Sequence, residues 1–121
     1  MQQPLIKSFR NAFQGIVIML QNERNAQIHS ISAILVIIAG LLFKICPYEW
    51  ATIAFAIGIV LTSEGLNSSI ERLSDVVQPN NDDRIRVVQD FAAGDVLISA
   101  ITAAIIGLIV FLPKLLNLLF Q

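Results

Sequence analysis

The sequence predicts an all-α integral membrane protein with an N-terminal amphipathic surface helix and three transmembrane helices. Of its 121 residues, 55% are hydrophobic and 14% are charged, whereas soluble domains carry about 25% charged residues. The apolar excess is concentrated in long runs, which leave room for roughly three membrane-spanning helices. In the N-terminal residues, apolar side chains instead recur at helical spacing, with polar side chains between them. Residues 1–121 are therefore predicted to form a single membrane domain.

The amphipathic helix is predicted at residues 4–21. Its polar residues fall largely on the opposite side of the helical wheel from its apolar ones, so we expect it to lie in the membrane interface. The N-terminus lacks the apolar core and cleavage site of a secretory signal, and we expect mature sequence there. The apolar residues with helical spacing are Leu5, Phe9, Phe13, Ile16, Val17 and Leu20.

The first two transmembrane helices are predicted at residues 28–46 and 50–77, joined by a turn at Pro47. Tyr48 and Trp50 at this turn are expected to be interfacial aromatic anchors. The second run is apolar only as far as Thr62, but no helix-breaking residue follows. We therefore expect this helix to leave the bilayer and continue as a cytoplasmic extension.

Residues 78–89 are predicted to be a cytoplasmic loop, because they begin with Pro, Asn and Asp residues. The third transmembrane helix is predicted at residues 90–112, ending before Pro113. Its many Ala, Gly and Ser residues suit close packing against other helices.

The distribution of Lys and Arg predicts the orientation. A cytoplasmic N-terminus and second loop place six of the eight basic residues inside, as the positive-inside rule favours. The same topology brings most of the acidic residues near one membrane face. These acids are Glu23, Glu64, Glu71, Asp75 and Asp90.

Composition also excludes several classes of function. The single cysteine, Cys46, excludes an intramolecular disulfide and a multi-cysteine metal site. A net charge of −1 argues against nucleic-acid binding. The sequence contains no GxxxxGK phosphate-binding loop.

Four polar residues of the second transmembrane segment are spaced to share one helix face. Glu64, Asn67, Glu71 and Asp75 follow one another at steps of three, four and four residues. Two carboxylates can hold Mg²⁺ with nucleotide phosphates, and a desolvated carboxylate can accept a proton from a lipid hydroxyl. One alternative is an ordinary solvated helix surface. Another is a transporter or proton relay, although three helices without an internal repeat make a poor transporter protomer.

Four stretches resemble the small prokaryotic diacylglycerol kinases and undecaprenol kinases. The central one is EGLNSSIERLSD at residues 64–75. SFRNAFQGI at 8–16 and NERNAQIH at 22–29 are most similar to the undecaprenol kinase branch. QDFAAGDVLISAI at 89–101 resembles the motif that opens the third transmembrane helix of the family. With matching intervals between these motifs, the resemblance extends over essentially the whole chain.

The resemblance implies an ATP-dependent kinase of a membrane lipid alcohol, either diacylglycerol or undecaprenol, in the bacterial inner membrane. It implies a homotrimer whose active sites are shared between subunits, with Mg²⁺ as cofactor. Glu64 would be the catalytic base and Asn67 would position the reacting groups. The other implied roles are metal and ATP binding for Glu23 and Glu71, orientation of the nucleotide for Asp75 and Asp90, and lipid contact for Glu64, Phe13 and Gly15.

Gln89 is the main departure from the family, which usually has Lys before the Asp at that position. We include Gln89 in the expected ATP site and expect Arg84 or Arg86 to supply the missing positive charge. The alternative is a catalytically impaired relative that acts as a membrane scaffold. Asp95 stands where the family prefers a small residue, and we expect it at the cytoplasmic rim rather than paired with a neighbouring helix. His29 is expected to hydrogen-bond at the interface.

Overall fold

The computed structural model describes residues 4–121 and places most of them in four α-helices, with no strand in this range. Three of the helices are long and apolar enough to cross a membrane. The predicted all-helical membrane fold is therefore confirmed. Residues 1–3 of the predicted domain lie outside the described range. The helices are α1, Leu5–Asn22; α2, Arg24–Phe43; α3, Pro47–Val77; and α4, Asp83–Leu119.

Helix α1 is the amphipathic surface helix, and it is separated from α2 by a single residue. Glu23 has extended backbone angles, φ −104° and ψ 112°, which end α1 and allow α2 to begin in a new direction. The side chain of Gln27 donates to the carbonyl oxygens of Leu20 and Gln21 at 2.9 and 3.2 Å. These bonds satisfy carbonyls that the end of a helix leaves without partners. The hinge at Glu23 therefore has a defined geometry.

The connection between α2 and α3 lies earlier in the chain than the sequence predicted. Helix α2 ends at Phe43, and Lys44 adopts a left-handed conformation with φ 53°. Cys46 then caps α3, because its N–H donates to Glu49 Oε1 at 3.0 Å. Pro47, predicted to form the turn, is the first residue of α3. Proline suits this position because it lacks the N–H that the first helical turn leaves unused.

Two predicted boundaries of the last helix are wrong. Helix α4 begins at Asp83, so residues 83–89, which were assigned to the loop, are helical. Asp82 is the N-cap and accepts a hydrogen bond from the Arg84 N–H at 2.9 Å. Helix α4 also continues through Pro113 to Leu119. Lys114, which directly follows Pro113, forms an ion pair of 2.5 Å with Glu49 of α3, and this pair fixes the turn in place.

Helix α3 is the centre of the fold, since both α2 and α4 pack against it. Its 31 residues span about 45 Å at the helical rise, which exceeds the thickness of a hydrocarbon core. The apolar core lies near the α2–α3 turn, at the end of the bundle opposite the acidic residues. Trp50, predicted as an interfacial anchor, packs partly buried against this core. The core consists of Ile45, Ile53 and Val110, covered by Val36, Phe43, Trp50, Ile57, Ile106 and Phe111.

Gly40 is required for the close approach of α2 to the start of α3. A Cβ atom at this position would lie 2.7 Å from Trp50 Cη2 and 3.1 Å from Ile45 Cδ1. We predict that Gly40→Ala lowers the free energy of unfolding by about 1–3 kcal/mol, the usual cost of overpacking a core. Reversible unfolding in mixed micelles would measure this change.

The matched control for Gly40→Ala is Gly58→Ala in the middle of α3. A Cβ atom at Gly58 would have no described neighbour within 4 Å. The alanine there should leave stability unchanged or raise it slightly, because Ala is the better helix former. Equal loss of stability in the two variants would contradict the packing argument.

Candidate active site

The polar face of α3 changes from buried to exposed along the helix. Glu64 is 2% exposed and Asn67 is 6% exposed. Glu71 and Asp75, one and two turns farther on, are exposed. The carboxylates of α3 therefore change from buried within the protein to exposed on its surface in their order along the helix.

Glu64 faces helix α2, where His29 is its nearest ionisable neighbour. The distance from His29 Nε2 to Glu64 Oε2 is 3.8 Å, an ion-pair distance that is too long for a hydrogen bond. In the described part of the chain, Glu64 Oε2 has no hydrogen-bond partner. His29, which was expected to hydrogen-bond at the interface, thus lies beside the predicted catalytic base.

Asn67 connects the buried and exposed parts of this face. Its Nδ2 donates to Glu71 Oε1 at 3.2 Å. Its Oδ1 is buried and accepts no hydrogen bond from the residues described. Asn67 therefore orients Glu71 through its amide nitrogen and keeps an oxygen available for a further donor.

Glu23 is brought to α3 by the hinge between α1 and α2. Two nitrogens of Arg72, Nε and Nη2, donate to Glu23 Oε1 at 3.0 and 2.8 Å. This contact places Glu23 beside the turn of α3 that carries Glu71. A groove between α1 and α3 is lined at one end by Gly15 and at the other by Glu23 and Arg72. Arg72 was not among the predicted site residues, because a partner 49 residues away leaves no local sequence pattern.

A second groove, with a mostly polar lining, lies where α3 ends and α4 begins. Asp75, Arg86 and Gln89 all line it. Arg86 pairs with Asp83 at 3.2 Å, and both side chains are largely exposed. Asp90, the next residue after Gln89, is exposed. Three of the predicted ATP-site residues therefore share one groove.

Arg84 is held more firmly than Arg86. Its Nη2 donates to Asp82 Oδ2 at 2.9 Å, while its backbone N–H donates to the other oxygen. The Arg84 side chain and backbone hold the pKa of the Asp82 carboxyl well below its ordinary value. A lowered pKa keeps this carboxylate ionised, and the cap intact, at neutral and mildly acidic pH; the cap is lost only as the pH falls through that lowered value.

A third groove separates α3 from α4 on the side of Asn67. The hydroxyls of Ser63 and Ser99 lie 2.6 Å apart and form a hydrogen bond between the two helices. Asp95 lines this groove together with Asn67 and is exposed. The site residues are thus distributed over several grooves around α3.

Besides Glu64, two residues of α1 were expected to contact the lipid, and one of them, Gly15, lies in the groove that contains Glu23. Phe13 lies in a different shallow groove on α1, with Arg10 and Val17, and is 66% exposed. The structure therefore brings Gly15, but not Phe13, to the groove with the acidic residues.

The donor set suits Mg²⁺ bound together with phosphates. No group of three His, Cys, Asp or Glu side chains within residues 4–121 could hold a metal alone. Mg²⁺, however, typically takes one or two carboxylates, several waters and substrate phosphate oxygens. Glu23 and Glu71 are each bound through Oε1 by a neighbouring side chain, and the buried Asn67 Oδ1 next to Glu71 is unpaired. Both carboxylates thus have a second oxygen outside these contacts.

Comparison with known proteins connects this arrangement to a family. The sequence model of the family described as "Prokaryotic diacylglycerol kinase" matches residues 10–111. The chain belongs to this family. It is 38% identical over 109 residues to an undecaprenol kinase of Bacillus subtilis, covering 90% of this chain and 89% of the relative. It is 34% identical over 116 residues to a diacylglycerol kinase of Synechocystis, covering 95% of this chain and 66% of the relative.

Membership of the prokaryotic diacylglycerol kinase family confirms the resemblance that the four motifs indicated. The matched range, residues 10–111, includes the hinge at Glu23, all of α3 and most of α4. The protein is therefore a membrane protein of a lipid kinase family.

The Glu23–Arg72 bridge is expected to hold the hinge between α1 and α2 against α3. We predict that Arg72→Gln increases amide hydrogen exchange at residues 20–27, because the hinge loses its contact with α3. Arg24→Gln, one residue beyond the hinge, is the matched control and should leave exchange there unchanged. Mass spectrometry of the protein in micelles would measure both. Identical exchange in the wild type and Arg72→Gln would contradict this role.

Proposed function

We propose that this protein transfers the γ-phosphoryl group of ATP to the hydroxyl of a membrane lipid alcohol. The observation that carries the proposal is the order of burial on α3, where the buried Glu64 is followed by the exposed Glu71 and Asp75. A lipid hydroxyl lies just beneath the membrane surface, whereas ATP lies in water. One helix thus presents carboxylates at both depths.

Undecaprenol is the proposed acceptor, with diacylglycerol as the alternative. The undecaprenol kinase of Bacillus subtilis is the more similar of the two relatives, and the match covers 89% of its length. The match to the diacylglycerol kinase covers 66% of that protein. The stretches around Asn11 and Asn25 also favour the undecaprenol kinase branch.

In the proposed reaction, Glu64 accepts the proton of the lipid hydroxyl. The hydroxyl oxygen then forms a bond to the γ-phosphorus of ATP, and the bond from this phosphorus to the bridging oxygen breaks as ADP leaves. Asn67 positions the reacting groups and keeps Glu71 in place through the 3.2 Å hydrogen bond. Glu23 and Glu71 are proposed to hold Mg²⁺, which when bound supplies positive charge to the phosphate oxygens.

The nucleotide is proposed to bind at the end of α3, next to the start of α4. Asp75, Gln89 and Arg86 line one groove there, and Asp90 is exposed beside it. We propose that Arg86 supplies the positive charge that the family usually places at position 89. Arg84 is less suitable, because both its side chain and its backbone are bound to Asp82.

The proposed assembly is a homotrimer with shared active sites, in the inner membrane. The distribution of site residues over several grooves supports a site that a neighbouring subunit completes. An exposed Asp95 one turn beyond Asp90 supports it too, because a carboxylate facing lipid is costly. The N-terminus and the α3–α4 loop are proposed to be cytoplasmic, where ATP is available.

The alternative function is a catalytically impaired membrane scaffold. Gln89 favours it, because electrostatic stabilisation of the transferring phosphoryl group is the main catalytic contribution in such enzymes. The Arg86 side chain in the same groove favours the kinase.

A phosphoryl-transfer assay in mixed micelles tests the proposal. With labelled ATP and Mg²⁺, the wild type should phosphorylate undecaprenol or diacylglycerol. Glu64→Gln should lower turnover by at least about 100-fold, the lower range for loss of a general base. Glu49→Gln is the matched control, because Glu49 is on the same helix at the opposite end and should be dispensable for turnover.

The assay also distinguishes the scaffold from the enzyme. A lack of transfer to either lipid, with Gln89→Lys as inactive as the wild type, would overturn the kinase proposal and favour the scaffold. Transfer that appears only in Gln89→Lys would identify Gln89 as the cause of the impairment.

The two arginines give a second test within the enzyme. We predict that Arg86→Ala raises the KM for ATP about 10-fold, within the range for loss of a charged hydrogen bond. Arg84→Ala should have a much smaller effect, because Arg84 is occupied by Asp82. Initial rates at varied ATP would measure both. An equal or larger effect of Arg84→Ala would contradict the assignment of Arg86.

A further inference from the structure

The buried carboxylate of Glu64 requires a neighbouring group that stabilises its negative charge. Its side chain is 2% exposed, and Oε2 has no hydrogen bond from residues 4–121. An ionised carboxylate in such surroundings is unfavourable unless a donor or a positive charge stabilises it. A general base must nevertheless be ionised before it can accept a proton. Something near Glu64 must therefore stabilise its charge.

Each helix packed around Glu64 contributes a different kind of neighbour. On α3 itself, the next polar groups toward the helix end are Asn67 and the carboxylate of Glu71. Helix α4 contributes Ser99, which is bound to Ser63, and the carboxylate of Asp95 in the adjacent groove.

The groups that can carry a positive charge are Arg72, beside the hinge, and His29 of α2. Arg72 lies two turns away and is already bound to Glu23. Helix α1 contributes the neutral Met19, which packs next to Gly65: a Cβ atom at Gly65 would lie 3.2 Å from the Met19 sulfur. His29 of α2 lies 3.8 Å from Glu64 Oε2. Among the described groups around Glu64, His29 is therefore the basic side chain in a position to pair with it.

We propose that His29 is a positioning residue that pairs as an imidazolium with the Glu64 carboxylate and keeps it ionised beneath the membrane surface. This inference rests on the proposed lipid kinase function. An opposite charge within about 4–6 Å favours the ionised form of a carboxylate. The His29 side chain is 25% exposed and that of Glu64 is 2% exposed, so the proposal assigns proton exchange with water to His29.

The proton balance of one turnover follows from this pair. Glu64 takes the proton of the lipid hydroxyl as the hydroxyl oxygen bonds to the γ-phosphorus and ADP leaves. Glu64 is then neutral, and the imidazolium of His29 has lost its counter-charge. His29 releases its proton to water and accepts the proton of Glu64, which restores the ion pair. Each turnover thus releases one proton through His29.

The test compares the pH dependence of turnover in the wild type, His29→Gln and His29→Lys. Gln preserves polarity but carries no charge, so turnover at neutral pH should fall about 10-fold or more. Its acidic limb should move toward higher pH, with activity recovering in alkaline solution. Lys restores a positive charge, so its acidic limb should stay at or below that of the wild type. A merely structural role would lower both variants equally at every pH.

Ser32→Ala is the matched control, because Ser32 lies one turn from His29 on α2 and lines the same apolar groove. Its turnover and pH profile should match the wild type. A wild-type profile in His29→Gln would overturn the proposal while leaving the kinase function intact.

A second readout does not depend on activity. Infrared difference spectroscopy, with Glu64→Gln assigning the carboxylate band, should show Glu64 ionised at neutral pH in the wild type and protonated in His29→Gln. The same ionisation state in both would also overturn the proposal. An inactive wild type that shows the expected infrared difference would contradict the kinase function alone.

Discussion

The constraint on which the structure depends is the burial of a carboxylate within a membrane-spanning helix. Glu64 is 2% exposed, and such a group is tolerated only where neighbouring helices surround it with polar contacts. Helix α2 brings His29 to it, and the Ser63–Ser99 hydrogen bond joins α3 to α4 one residue away. The hinge at Glu23 belongs to the same arrangement, because it lets α2 begin one turn before His29. The packing of α2 and α4 against α3 is thus linked to the chemistry of one side chain.

The two ends of the bundle have different physical characters. At the α2–α3 turn, Trp50 covers Gly40 and Lys114 pairs with Glu49, so apolar packing and an ion pair close this end. At the other end, grooves that contain acidic side chains open around α3. The polar face of α3 is carried on a long helix rather than on a loop. Rigid elements position a site more accurately than loops do.

The sequence predicts the helices better than their ends and contacts. The long extension of α3 was predictable because no breaker follows Thr62. The start of α4 was not, because residues 80–83 offer several possible caps and the structure uses Asp82. The predictions made from two prolines were also wrong. Pro47 was expected in a turn but begins a helix, and Pro113 was expected to follow a helix but lies inside one. The pairs that organise the site join distant residues, 49 apart for Glu23 and Arg72. Helical periodicity identifies which face a residue occupies but not which helix covers that face.

The charge balance of the open end explains why the proposed reaction requires added positive charge. Glu71, Asp75 and Asp90 are exposed carboxylates, whereas Arg72 and Arg84 are each bound to a carboxylate. A triphosphate approaching this surface would be repelled unless Mg²⁺ and a free basic side chain offset the negative charges. With Gln89 neutral, Arg86 is the basic side chain that lines the proposed nucleotide groove. Its pairing with Asp83 is exposed and therefore weak, so exchange of that partner for a phosphate costs little. In the proposed site, the departure at position 89 thus moves the positive charge by one helical turn, from position 89 to position 86 of the same helix.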